Sequence, residues 1–298
     1  MRVLVVHTWG LGDLLMATPM LKSLAQSGHE VELALTNAAN AKLLQENGFL
    51  QKIHIIKGKL DFLRFVGRYD ALVTTAGMDP KKAKNLARLL LIRRWYGGHQ
   101  PRGIHRIEAN LRIVDPLLSR RDTEPYIYIP PLSPGLERAY LQSGPNIGLA
   151  PGSGAKQKYK RWPYFRDLAK WLEGNILLFV GPDELELADE FADLGVRVVQ
   201  EPLLDVVALI SRLDLLVGND NGLMHIGYAT KRNCVTIHGM TNEKETGGYR
   251  PNNEAICLPL ECRPCFDPAS NKLGCDTLEC LRLLEPQRVY EACEKFLP

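Results

Sequence analysis

No apolar run in this 298-residue chain approaches the ~20 residues of a membrane-spanning helix. The chain also opens directly on Arg2, Val3, Leu4, Val5 and Val6, without a basic leader and cleavage site. Both features set membrane-spanning and secreted classes aside, and a cytoplasmic protein is expected. A large excess of one charge is missing too: 37 Lys and Arg against 34 Asp and Glu leave a net charge of +3, too little by itself to argue for nucleic acid. Seven cysteines, an odd number, make a poor disulfide framework and suit reduced thiols or a metal. Short-period repeats and low-complexity tracts are absent. What is present, 45% hydrophobic and 24% charged residues, is ordinary for a globular protein long enough for two cores.

The two cores are legible as two runs of alternating strands and helices. Val3 to Val6, Val31 to Leu35, Ile53 to Ile56 and Ala71 to Thr75 are strand-like, each followed by helical spacing. A proline-rich passage from Pro125 to Pro134 interrupts the rhythm, which restarts with Ile147 to Ala150, Ile176 to Val180, Val196 to Val199, Leu215 to Val217 and Val235 to Ile237. The expected fold class is α/β, with two Rossmann-like doubly wound domains, 1–143 and 144–298, facing a central cleft.

The first turn excludes a dinucleotide. Gly10, Leu11, Gly12 and Asp13 lead from strand to helix, but Leu15 stands where the dinucleotide fingerprint has its third glycine, and Asp13 would repel a pyrophosphate. An NAD-dependent oxidoreductase fails here. A carboxylate in a helix's first turn is stabilised by the helix dipole, so Asp13 reads either as a cap or as an ionised general base at the carboxyl end of the sheet. In the second half, Pro151, Gly152, Ser153 and Gly154 precede Lys156, Lys158, Lys160 and Arg161, a pattern that suits an anionic oxygen cluster or a solvated basic loop. After Leu215 to Val217 comes Gly218, Asn219, Asp220, Asn221, Gly222, Leu223, Met224, His225, with a glycine at a helix start and a histidine one turn on. Asp183 and Glu184 follow another strand, where a carboxylate serves either a ribose hydroxyl or a helix N-terminus.

Together, Gly12 and Asp13 with Thr18 and Pro19 downstream, Lys160 to Pro163, Asp220 to His225, Gly239 and the late cysteines resemble glycosyltransferase family 9, the ADP-heptose heptosyltransferases of lipopolysaccharide synthesis. The resemblance implies a GT-B architecture and inverting transfer without a catalytic metal. Asp13 would be the base on the acceptor hydroxyl, Lys160 would steady the donor phosphates, and Gly12, Ser153, Asp183, Asp220, Asn221, Gly222 and His225 would line the donor. The family usually has Thr at Asn221 and often Arg at His7. The implied partners are ADP-heptose and an anionic glycolipid or protein acceptor, with peripheral contact at the inner face of the cytoplasmic membrane and no nucleic acid. A non-catalytic nucleotide-sugar-binding protein is the alternative from another class.

Cys262 and Cys265, a Cys-x-x-Cys pair, are followed by Cys275 and Cys280, a spacing able to close a structural zinc or iron site or to leave buried free thiols. Iron accompanies a similar cluster in some protein-glycosylating relatives that the resemblance brings in. Between Lys81 and Arg106 lie Lys82, Lys84, Arg88, Arg93, Arg94 and Arg102, interleaved with Leu89 to Ile92, Trp95 and Tyr96. This stretch reads as an exposed amphipathic helix entering a strand, or as a face for an anionic lipid-linked acceptor or membrane.

Overall fold

An apolar strand with no polar alternation must be covered on both faces, and β1 (Arg2–His7) is buried from Val3 onward. In the computed structural model, which describes residues 1–99, 101–267 and 272–297, β1 is the centre of a five-stranded parallel sheet. Its order is β3 (Lys52–Ile55), β2 (Glu30–Leu35), β1, β4 (Ala71–Thr74), β5 (Arg94–Tyr96). Val3 pairs with Val31 on one side and Ala71 on the other. This sheet belongs to one unit, Met1–Tyr128; the other, Ile129–Pro298, holds a six-stranded parallel sheet. That sheet is ordered β11 (Asn253–Ile256), β10 (Asn233–Ile237), β9 (Leu215–Asn219), β6 (Asn146–Ala150), β7 (Asn175–Phe179), β8 (Arg197–Val199). Both are doubly wound α/β sheets with the first strand of the unit at or next to the middle.

The division between the units falls between Tyr128 and Ile129, not at residues 143 and 144 as the sequence suggested. The short helix Pro134–Tyr140 is tied to the second unit: Arg197 donates to the Ala139 carbonyl at 2.8 Å and Tyr140 Oη to Glu201 at 2.8 Å. The proline-rich passage is therefore shared across the division.

The helix that follows β1, α1 (Leu11–Gln26), contains Pro19. A proline inside a helix lacks the N–H that would bond the carbonyl four residues back. Here that carbonyl is Leu15's, and the Thr18 hydroxyl donates to it at 2.7 Å while accepting the Tyr126 N–H at 2.8 Å. The Thr18–Pro19 pair thus repairs the helix and fastens the segment that ends the first unit. Thr18→Val keeps the shape but leaves two buried polar groups unpaired. It is expected to cost about 1–3 kcal/mol in urea denaturation, and an unchanged unfolding midpoint would contradict this role.

Candidate active site

In a parallel sheet the chemistry collects beyond the carboxyl ends of the strands, where backbone groups and helix N-termini lack sheet partners. In the first unit β1 ends in His7, which is 1% exposed. Its Nε2 lies 3.3 Å from the Gly10 carbonyl and its Nδ1 3.1 Å from Thr75 Oγ1. Burial lowers its pKa, so the neutral ring donates from Nε2 to the carbonyl and accepts at Nδ1 from the hydroxyl. The ring fixes the glycine turn against the end of β4.

Asp13 is the third residue of α1, whose N-cap, Gly10, offers no side-chain cap. Its carboxylate is 29% exposed and pairs with Arg106, whose Nε lies 3.4 Å from Oδ1 and whose side chain is 9% exposed. Arg106 opens the helix Arg106–Val114 and also donates from Nη1 to the Ala76 carbonyl at 3.0 Å. Asn110, one turn on, accepts the Ala76 N–H at 2.8 Å. Gly77 is required beside it: its φ is +99°, and a Cβ there would lie 3.0 Å from Arg106 Nη1. Sequence reasoning missed Arg106, because no spacing links it to Asp13. Where the resembling family often has Arg, this chain has a neutral histidine, and the cation comes from a distant helix. Gly12 lies buried in the same first turn.

In the second unit the glycine loop after β6 does bind an anion, and the chain supplies it. Glu184 Oε1 accepts the N–H groups of Ser153 and Gly154, both at 2.9 Å, and Arg161 Nη2 at 2.7 Å. Gly152 lets the carboxylate approach, since a Cβ there would collide with Glu184 Oε2. Glu186 extends the network to Arg161 at 3.2 Å and Lys158 at 2.7 Å. Asp183 stands exposed beside this network, and the carboxylate in contact with the loop is that of Glu184.

Asn221 has a different placement from the one expected of it. Its Oδ1 caps the helix Gly222–Ala229 by accepting from Leu223 N at 2.9 Å and Met224 N at 3.3 Å. Its Nδ2 donates to the carbonyls of Gly152 at 2.7 Å and Ala150 at 3.1 Å. A threonine hydroxyl could not supply both amide hydrogens, which gives the Asn at this position a physical reason. Buried Asn219 completes the clamp, donating to the Pro151 carbonyl at 2.6 Å and accepting the Trp162 N–H at 3.0 Å.

Around Asp220 the structure gathers several of the expected residues. Burial pushes its pKa up, but His238, Lys160, His225 and a hydrogen bond from Thr241 outweigh that and hold the carboxyl below its usual range. Thr246 Oγ1 donates to Oδ2 at 3.3 Å, and His238 Nδ1 is 3.9 Å away. Lys160 Nζ sits 4.6 Å above the Phe266 ring. Gly222 opens the helix that carries His225, which is 6% exposed with its ring edge-on to Tyr228 at 5.4 Å. His238, which follows β10, was not anticipated. It is fully buried, its Nδ1 lies 3.3 Å from Thr241 Oγ1, and its Nε2 has no partner among the described residues.

The late cysteines do not form the expected ligand set. Among the described residues no group of three or more His, Cys, Asp or Glu could hold a metal. Cys265 and Cys275 make the one close thiol pair, at 3.9 Å, while Cys262 is exposed and Cys280 is packed into the hydrophobic core. Burial, the Cys275 contact and the neighbouring thiols push Cys265 up to about 11, so it stays a thiol near neutral pH.

Two doubly wound parallel α/β units, one presenting a carboxylate and the other a glycine loop with cations, make up an α/β architecture of the GT-B class. Residues 65–274 match the model of glycosyltransferase family 9 (heptosyltransferase), and the chain belongs to that family. It is 24% identical to a lipooligosaccharide heptosyltransferase 2 of Campylobacter jejuni, over 97% of this chain and 96% of that protein. Among solved structures, the ADP-heptose LPS heptosyltransferase II of E. coli superposes with a TM-score of 0.75 at 20% identity, over 99% of this chain and 98% of that one. A family 9 glycosyltransferase of Veillonella parvula gives the same score at 18% identity, over 99% and 96% of the two chains.

Breaking a buried ion pair by removing one partner typically costs 3–5 kcal/mol. Glu184→Ala leaves Arg161 only its longer contact with Glu186 and leaves two loop N–H groups unpaired, so a loss of about 3 kcal/mol is expected. Chemical denaturation followed by tryptophan fluorescence measures it, and wild-type stability in the variant would show that the network does not organise the loop.

Proposed function

We propose that this chain is an inverting heptosyltransferase that moves heptose from ADP-heptose to a hydroxyl of a lipopolysaccharide core or related surface glycan, with Asp13 as general base. The observation that carries the reading is the Asp13–Arg106 pair: a partly exposed carboxylate at a helix N-terminus, gripped on one oxygen by a buried guanidinium. Such a group is oriented and still has an oxygen to accept a proton. In the proposed step Asp13 takes the acceptor hydroxyl's proton as that oxygen bonds to the anomeric carbon. The bond from that carbon to the diphosphate oxygen breaks, and ADP leaves with the electron pair. Inversion follows from attack opposite the leaving group.

The leaving diphosphate gains negative charge, and Lys160 and the N-terminus of the helix Gly222–Ala229 are the groups proposed to stabilise it. The Ser153 and Gly154 N–H groups are already taken by Glu184, so in this reading the diphosphate meets Lys160 and the helix N-terminus rather than those amides. Asp220, whose carboxyl is held below its usual range, and His225 are proposed to orient the sugar and phosphates. No metal or other cofactor enters the proposed step. We place the enzyme in the cytoplasm, where nucleotide sugars are consumed; no helix among the described residues is long and apolar enough to cross a membrane.

General-base assistance contributes typically ~10²–10⁴ in rate. Asp13→Asn is therefore expected to lose about that factor in kcat while binding ADP-heptose as the wild type does. Transfer onto a truncated lipopolysaccharide core, followed by mass spectrometry, measures it. Turnover retained in the variant would sink the assignment of the base.

A further inference from the structure

The transfer step proposed above uses Asp220 but not the buried histidine beside it. β9 and β10 run parallel with Asn219 paired to Ile237, so Asp220 and His238 leave the sheet side by side. The backbone holds them there: Asp220 N donates to the Ile237 carbonyl at 3.1 Å, and His238 N to the Ile256 carbonyl at 2.8 Å. The ring's Nδ1 lies 3.3 Å from Thr241 Oγ1 and 3.9 Å from Asp220 Oδ2. Burying an imidazole costs free energy unless its nitrogens are used.

The direction of these hydrogen bonds follows from counting protons. An ionised carboxylate only accepts, so the Thr241 hydroxyl that bonds Asp220 gives it its one hydrogen. Thr241 Oγ1 can then only accept from the ring, and Nδ1 carries the proton. The other ring nitrogen agrees. Nε2 has no partner among the described residues, so a hydrogen on it would be a buried donor left unpaired. That disfavours both the Nε2–H tautomer and the imidazolium, which carries a hydrogen on each nitrogen. Burial also lowers the ring's pKa further than Asp220 and Glu243 raise it, and Arg263 and Lys160 lower it as well. Arg263 fixes the segment that carries Thr241, donating to the carbonyls of Leu258 at 2.9 Å and Thr241 at 3.0 Å and to Glu243 at 3.1 Å.

We infer that His238 is a positioning residue for the donor: its neutral ring donates from Nδ1 to Thr241, whose hydroxyl donates to Asp220, and this relay sets how the carboxylate faces its ligand. Thr246 Oγ1 donates to Oδ2 at 3.3 Å, so two hydroxyls hold the carboxylate against rotation. The inference rests on the proposed reading that Asp220 meets the donor.

Magnetic resonance of the full chain, with nitrogen-15 in its histidines, tests the proton count without any ligand. The His238 ring, identified by its loss in His238→Asn, should be neutral and protonated at Nδ1 near neutral pH, and Thr241→Val should shift its signals. Calorimetric titration with ADP-heptose reads the consequence. An Asn amide stands roughly where Nδ1 does, and a Gln amide where Nε2 does. His238→Gln is therefore expected to raise Kd about tenfold, whereas His238→Asn restores it to within about threefold of the wild type. A histidine that only fills space would give the opposite order, because Gln is the larger of the two. An imidazolium, an Nε2–H ring, or a Gln variant that binds as well as the Asn variant would overturn the inference. Wild-type protein that ignores ADP-heptose would instead contradict the donor reading, and the histidine spectrum would still decide the relay.

Discussion

Backbone N–H groups beyond the end of a parallel strand have no sheet partner, and in the second unit those of Ser153 and Gly154 close on Glu184 Oε1 at 2.9 Å. That contact sets the course of the loop. It requires Gly152 to carry no Cβ, draws Arg161 to within 2.7 Å, and leaves the Gly152 carbonyl for the Asn221 amide. Because Asn221 also caps the helix that carries His225, the loop after β6 and the loop after β9 are tied to each other. A carboxylate from the chain itself therefore sets the course of the loop, and in the proposed reaction the donor diphosphate is met by Lys160 and the helix N-terminus beside it.

The first unit solves a related problem with opposite charges. A carboxylate in the first turn of α1 is favoured by the helix N-terminus, yet it needs a fixed orientation to be useful as a base. Arg106 supplies that from a separate helix, steadied by the Ala76 carbonyl and given room by Gly77. His7, neutral and buried between Gly10 and Thr75, holds the turn without competing for the carboxylate. The cation that pairs with the carboxylate comes from a helix packed on α1, not from the strand end.

The sheets were legible wherever a strand is buried on both faces. The apolar runs of β1, β2, β4, β6, β7, β9 and β10 stand out, and the ends differ by a residue or so. β5 was not, because Arg94, Trp95 and Tyr96 form a short edge strand with no apolar run, and β11 (Asn253–Ile256) escaped for the same reason. The site residues divide in a similar way. Asp13, Lys160, Asp220 and His225 sit in local patterns of glycine, charge and helix start that a sequence displays. Arg106 and His238 owe their places to contacts between elements far apart in the chain, and no spacing announces them; Glu184 was visible beside Asp183 at a strand end, but its contact with the glycine loop was not. Asn221, expected from its place beside a glycine to line the donor, is bound by the helix N-terminus and two loop carbonyls. The cysteine spacing closes no metal-ligand set among the described residues: Cys265 and Cys275 pair, Cys262 is exposed and Cys280 is packed into the core.

The central claim is that the second unit recognises the diphosphate and sugar of an ADP-linked heptose. Calorimetric titration of the purified protein with ADP-heptose, ADP, UDP-glucose and NADH tests it most directly, with Lys160→Ala as the control. The account predicts selective binding of ADP-heptose and ADP, weakened in the variant. Preferential binding of UDP-glucose or NADH, or ADP-heptose affinity indifferent to Lys160, would contradict it.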